Sequence, residues 1–173
     1  MKKLHKIKNI ALIALSISIV SCDKQLDINT DPNNPLALKS SVLLPRVEKF
    51  VGESMAMGTG FSNNLSAYMH QMVHYGDADQ YGASGSDFYW GQGWDYSYRN
   101  VITNANIIIK QDTENGNLRY VGIAKVLKAY SFSILVDLFG KVPYTEANQL
   151  VEGIKYPVYD DGAAIYPQLI TLI

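Results

Sequence analysis

One long apolar run, Leu118–Phe139, constrains the fold more than any other stretch. Past its first turn, only Lys125, Lys128, Ser131, Ser133 and Asp137 interrupt it. A helix that is apolar on nearly every face is packed between other helices. Gly140 can end this helix, and Val142-Pro143 cannot continue it. The chain must therefore supply further helices to sheathe this one.

The rest of the chain supplies them. Residues 36–57 carry apolar positions at Leu36, Val42, Leu43, Val47, Phe50, Val51 and Met55, with charged residues between them. Pro45 lies inside this stretch and predicts a kink or a boundary between two short helices. Ser62 or Asn63 can cap a second helix with Leu65, Tyr68, Met69, Met72 and Val73 on its buried side, stopped at Gly76. Residues 76–93 read as a long loop rich in Gly, Asp and Ser, and loops of that length are usually functional or disordered. A third helix is expected from about Asp95 to Lys110. In it Trp94, Tyr98, Ile102, Ala105 and Ile109 fall on one stripe, with Asn115-Gly116 as the turn that follows. A last helix starts near Asp160 or Asp161. No stretch alternates as a strand should. The expected fold is all-α, a tetratricopeptide-like array of antiparallel helix pairs, although no repeat of 34 residues is visible.

The N-terminus reads differently. Lys2, Lys3, Lys6 and Lys8 precede a short apolar run over residues 10–20, too short for a permanent span. The run ends at Ile19-Val20-Ser21-Cys22, and Cys22 is the single cysteine of the chain. This pattern resembles the lipobox of bacterial lipoproteins, in which a peptidase cuts before a cysteine that then receives lipid. The alternatives are an ordinary secretory signal or a core cysteine. On the lipobox reading, residues 1–21 are a signal peptide and Cys22 carries a stable multi-chain anchor of the palmitate type. Residues 22–35 form a tether of Asn, Asp and Pro, and residues 36–173 form the helical body. Without residues 1–21 the chain has 11 basic against 16 acidic residues, a net of about −5, and it offers nucleic acid no basic face. One cysteine allows no internal disulfide. A hydrophobic content of 47% suits a globular body.

Several motifs together resemble the SusD/RagB family. They are Cys22, then Ile28-Asn-Thr-Asp-Pro-Asn-Asn-Pro35 and Leu43-Leu-Pro45. Tyr98-x-x-x-Ile102-x-x-Ala105-Asn106-x-Ile108 and Gly122-x-Ala124-Lys-x-Leu127-x-Ala129-Tyr130 follow. Leu138-Phe-Gly-Lys-Val-Pro-Tyr144 and Tyr159-Asp-Asp to Ile165-Tyr-Pro-x-Leu169 complete the set. The resemblance implies a helical lipoprotein on the outer membrane, lipid-anchored at the cell surface. It would bind nutrient, often glycan, and deliver it to a SusC-like TonB-dependent transporter. Family members are longer, so the chain reads as an N-terminal part of such a protein. The resemblance implies a binding protein rather than an enzyme, with no cofactor; the alternatives are a structural partner of the transporter with no ligand contact of its own, or a hydrolase, which would need a positioned carboxylate pair.

Two metal look-alikes are weak. His70-Gln-Met-Val-His74 has the spacing of a zinc-protease helix, but Gln71 stands where a general base is needed and no third ligand is evident. Asp77-Ala-Asp79-Gln-Tyr81-Gly82 begins like a calcium loop but places Phe88 where the bidentate Glu belongs. The better candidate is the aromatic loop. Sugar rings stack apolar C–H faces on aromatic rings, while their hydroxyls need polar partners. Tyr81, Tyr89 and Trp90 supply rings, and Gln92, Asp79 and Asp87 supply partners. Trp90, flanked by Gly91 and Gly93 beyond it, is expected to turn outward. The alternative is that these rings simply cover the helix array. Trp94 and Tyr98 are expected in the core, and Asn106 and Tyr130 are expected to have structural roles.

Overall fold

The computed structural model describes residues 38–56, 59–72 and 87–173. Lys39–Ile173 is a unit of its own. Helix α1 spans Ser40–Met55 without a break at Pro45. Proline cannot donate to the carbonyl four residues earlier, that of Ser41, but Ser41 is exposed and water can take its place. Burial of Leu43, Leu44 and Val47 on either side keeps the helix in one piece.

Helix α2 spans Gly60–Tyr68, with Thr59 at the N-cap position in place of the expected Ser62 or Asn63. Helix α3 spans Asp87–Asp95, where a loop was expected. It runs directly into a π-helical segment, Tyr96–Ile102, and then into α4, Thr103–Glu114. Thr103 compensates for the wider turn, because its backbone N–H and its hydroxyl both donate to the Tyr98 carbonyl. The π segment turns adjacent side chains into two different clusters. Val101 packs with Leu43, Val47, Ala105, Ile108 and Ala124, whereas Ile102 packs with Phe61, Phe132, Leu135 and Ile165.

Helix α5 is Leu118–Phe139, as its sequence predicts. It follows α4 after a tight reversal. Asn117 N–H reaches the Asp112 carbonyl at 2.8 Å, and Gly116 N–H reaches the Thr113 carbonyl at 3.3 Å. That pair of bonds is a Schellman motif, and Gly116 supplies the left-handed φ of +73° it requires. So short a connection makes α4 and α5 antiparallel neighbours. Helix α5 also packs against α1 and the π segment. It is not sheathed all round, however. Ile123, Val126 and Tyr130 are exposed along one face among the described residues. Tyr130 is thus on the surface rather than structural, while Asn106 does bridge the hairpin by accepting from Lys128 Nζ at 2.7 Å.

Beyond α5 the chain makes a two-residue strand, β1 (Lys141–Val142), paired antiparallel with β2 (Asp160–Asp161). The sequence pattern gave no sign of this pair because two residues cannot alternate. Helix α6, Gly162–Leu172, starts under an Asp161 cap whose carboxylate accepts Ala163 N–H at 3.0 Å. It packs back on α5. The described body is all-α apart from this clip. No helix among the described residues is long and apolar enough to cross a membrane.

Candidate ligand-binding surface

Two glycines let α2 pack closely against α1 and α3. Gly60 has φ +48°, and a Cβ there would lie 2.4 Å from the Ser54 carbonyl oxygen. Its N–H donates to Gln92 Oε1 at 3.0 Å. Gly93 sits flat against the Phe61 ring, where a Cβ would come within 2.6 Å. Gln92 is therefore spent, at least in part, on holding α3 to α2.

The same contact decides where Trp90 points. Its ring lies 6.0 Å from that of Phe61 and 6.1 Å from that of Phe139. Trp94 meets Phe139 edge-on at 5.1 Å and lies 4.8 Å from Tyr98. Trp90, Trp94 and Tyr98 thus form one stripe at spacing four, half-buried against α5. The expected outward turn of Trp90 does not occur. Because residues 87–93 are helical rather than loop, the spacing-four rule carries the stripe back one turn. The outward ring of α3 is Phe88, 63% exposed, and Tyr89 is partly buried and packed edge-on against it at 5.1 Å. Tyr81, Asp79 and Cys22 lie outside the described residues, as does His74. Asp87 opens α3. His70 falls in the turn after α2 with φ +58°, outside the helix. No group of three His, Cys, Asp or Glu side chains among the described residues could hold a metal ion.

A second aromatic surface lies on residues 143–159, which sequence reasoning passed over. Tyr98 holds this loop twice. Its phenol O–H donates to the Pro143 carbonyl at 2.7 Å, and its own carbonyl accepts Asn148 Nδ2 at 3.2 Å. Burial pushes the Tyr98 phenol far up from its ordinary pKa, and nearby Tyr159 and Asp160 add to the shift, so it remains a donor. At the far end, Asp160 accepts the backbone N–H groups of Tyr144 and Thr145 at 3.0 and 2.8 Å. Glu146 Oε2 accepts Val158 N–H at 2.9 Å. The loop so braced presents Tyr156, 91% exposed, and Tyr159, 62% exposed. The signal was available as Tyr156-Pro-Val-Tyr159, two rings about a proline, but nothing local says that they face outward.

The described body is all-α apart from its short strand pair, and it displays aromatic rings from a helix and from a braced loop. Residues 32–173 match the SusD-like family model described as starch-binding and associating with the outer membrane, and the chain belongs to that family. No curated protein and no solved structure matches the chain.

Proposed function

We propose that the protein is a nutrient-binding lipoprotein of the outer membrane. It captures glycan at the cell surface and passes it to a SusC-like TonB-dependent transporter. The match over residues 32–173 to a starch-binding, outer-membrane-associated family carries this reading. Residues 1–21 act as the signal peptide, Cys22 takes the lipid, residues 22–35 tether the body, and 36–173 are the N-terminal part of the helical domain. Tyr81, Tyr89, Trp90 and Gln92 form part of the glycan site. In this arrangement Tyr89 offers a ring face, while Trp90 and Gln92 hold α3 in place to present it. The protein binds rather than turns over its ligand.

Calorimetric titration of the whole protein against a panel of starch oligosaccharides and peptides tests the binding role. Heat with glycan and none with peptide supports it, and the reverse result replaces glycan by peptide as the nutrient. Fatty-acid labelling in cells tests the anchor. Label lost in Cys22→Ala supports it, because no second thiol exists to carry lipid, and label retained removes the anchor assignment. Co-purification with a transporter tests the delivery step.

A further inference from the structure

Helix α1 lies antiparallel along the run from α3 through the π segment to α4. Ser40 is bonded to Gln111, Arg46 to Asn100, and the Phe50 ring lies 5.0 Å from that of Tyr96. Arg46 is exposed on this seam, and its Nη2 donates to Asn100 Oδ1 at 2.8 Å. Asn100 is only 1% exposed and sits in the π segment, so the guanidinium is fixed to the helix pair rather than free in water. The Arg46 Cζ also stands over the Phe50 ring at 5.4 Å, and Lys49 Nζ stands over the same ring at 4.6 Å. One ring thus gathers two cations. Lys49 has a partner in Glu53 at 2.9 Å, and Arg99 has one in Asp95 at 3.1 Å. Arg46 makes no ion pair among the described residues. Glu48, two residues on, is turned away from it, since positions i and i+2 of a helix do not face each other.

We propose that Arg46 forms an anion-binding site with Lys49 and the Phe50–Tyr96 ring pair, and that the site takes a carboxylate carried on a ring-shaped body. This goes beyond the glycan reading and does not need it. Arginine presents planar N–H forks that match a carboxylate bidentately. Asn100 engages Nη2 alone, and the other N–H groups of Arg46 have no hydrogen-bond partner among the described residues. Because Asn100 and Phe50 hold the guanidinium in advance, a ligand is spared much of the cost of ordering a long side chain. Lys49 adds a second positive charge and Glu53 balances one of the two, so the seam keeps a net positive charge in a chain that is acidic once residues 1–21 are set aside. Phe50 and Tyr96 are partly buried and keep some ring surface at the seam for the apolar part of a ligand. Departures from α-helical winding recur at functional sites, and this one carries Asn100, the residue that aims Arg46. A sugar acid and an aromatic acid share the chemistry that such a site recognises.

The test is isothermal titration calorimetry on the whole protein with galacturonate and phenylacetate, each beside its neutral counterpart, galactose and methyl phenylacetate. At least one carboxylate should bind at least tenfold more tightly than its counterpart. Binding of galacturonate alone assigns the site to a sugar acid, and binding of phenylacetate alone assigns it to an aromatic acid. Arg46→Gln, which keeps an amide donor for Asn100, should weaken that carboxylate at least tenfold. Lys49→Glu leaves the Arg46–Asn100 bond untouched and should do the same, so the site stays testable where circular dichroism shows that Arg46→Gln has lost helicity. Arg99→Gln, on the arginine already paired with Asp95, should bind as wild type. The site is wrong if neither carboxylate binds better than its neutral counterpart, or if Lys49→Glu or a folded Arg46→Gln binds as wild type. An equal loss in Arg99→Gln also overturns it, because general charge attraction then accounts for the binding. None of these results touches the binding of neutral starch oligosaccharides, so the glycan reading stands or falls on its own titration.

Discussion

The Asp160 carboxylate accepts the backbone N–H of Thr145 at 2.8 Å and the Thr145 hydroxyl at 3.0 and 3.1 Å, joining positions 15 residues apart. With the β1–β2 pair, this closes the loop that carries Tyr156 and Tyr159.

That closure should be acid-sensitive. Burial works to raise the Asp160 pKa, but hydrogen bonds from Thr145 and Tyr144 outweigh it and hold the carboxyl below its ordinary value. A folded-state pKa below the unfolded one gives stability that is present above the unfolded value and lost as pH falls through the folded one. Asp160→Asn should therefore melt earlier than wild type at neutral pH. The gap in melting temperature should close as pH drops below about 4. A gap that persists at strongly acid pH would mean that the charge on Asp160 contributes nothing.

Gly93→Ala and Gly91→Ala should part in sign. A Cβ at position 93 meets the Phe61 ring at 2.6 Å, whereas one at position 91 meets nothing within 4 Å. Overpacking at Gly93 should cost ~1–3 kcal/mol. Alanine at exposed helical Gly91 should add ~0.5–1 kcal/mol of stability. Urea unfolding measures both, and equal tolerance at the two sites would show that α3 does not lie on Phe61.

Trp90→Ala should damage the fold along with Trp94→Ala, because both rings rest on Phe139. Each should cost about 2 kcal/mol or more, short of the ~3–5 kcal/mol of a fully buried aromatic. Their shared neighbour predicts a double variant less destabilised than the two single losses added together. Strict additivity in chemical denaturation would show that the two rings are uncoupled.

Asn106→Leu should destabilise the α4–α5 hairpin by ~1–3 kcal/mol, since it removes the acceptor for the half-buried Lys128 ammonium. Burial lowers the Lys128 pKa. The folded state therefore holds fewer protons than the unfolded one between the two values, and stability rises with pH through that window. The deficit of Asn106→Leu should shrink as pH approaches the ordinary lysine range near 10.5. Melting curves at neutral and alkaline pH decide this, and a constant deficit would place the loss elsewhere.

Local chemistry alone determined much of this fold. The ends of α5 follow from where apolar residues stop and Gly140 begins, and the α4–α5 turn follows from Asn115-Gly116. The start of α6 follows from Asp161. Each of these signals acts within about one helical turn, so a linear reading reaches it. The candidate site was readable only as a type of surface, aromatic rings beside polar partners. Which rings face outward was decided by contacts between distant segments. Gly93 against Phe61 and Gln92 on Gly60 made residues 87–93 helical and drew Trp90 inward. Tyr98 on Pro143 and Asn148 turned a plain connection into a braced loop with Tyr156 and Tyr159 exposed. Those bonds join residues 32 to 50 positions apart, and a close approach at that separation exists only once the helices have packed.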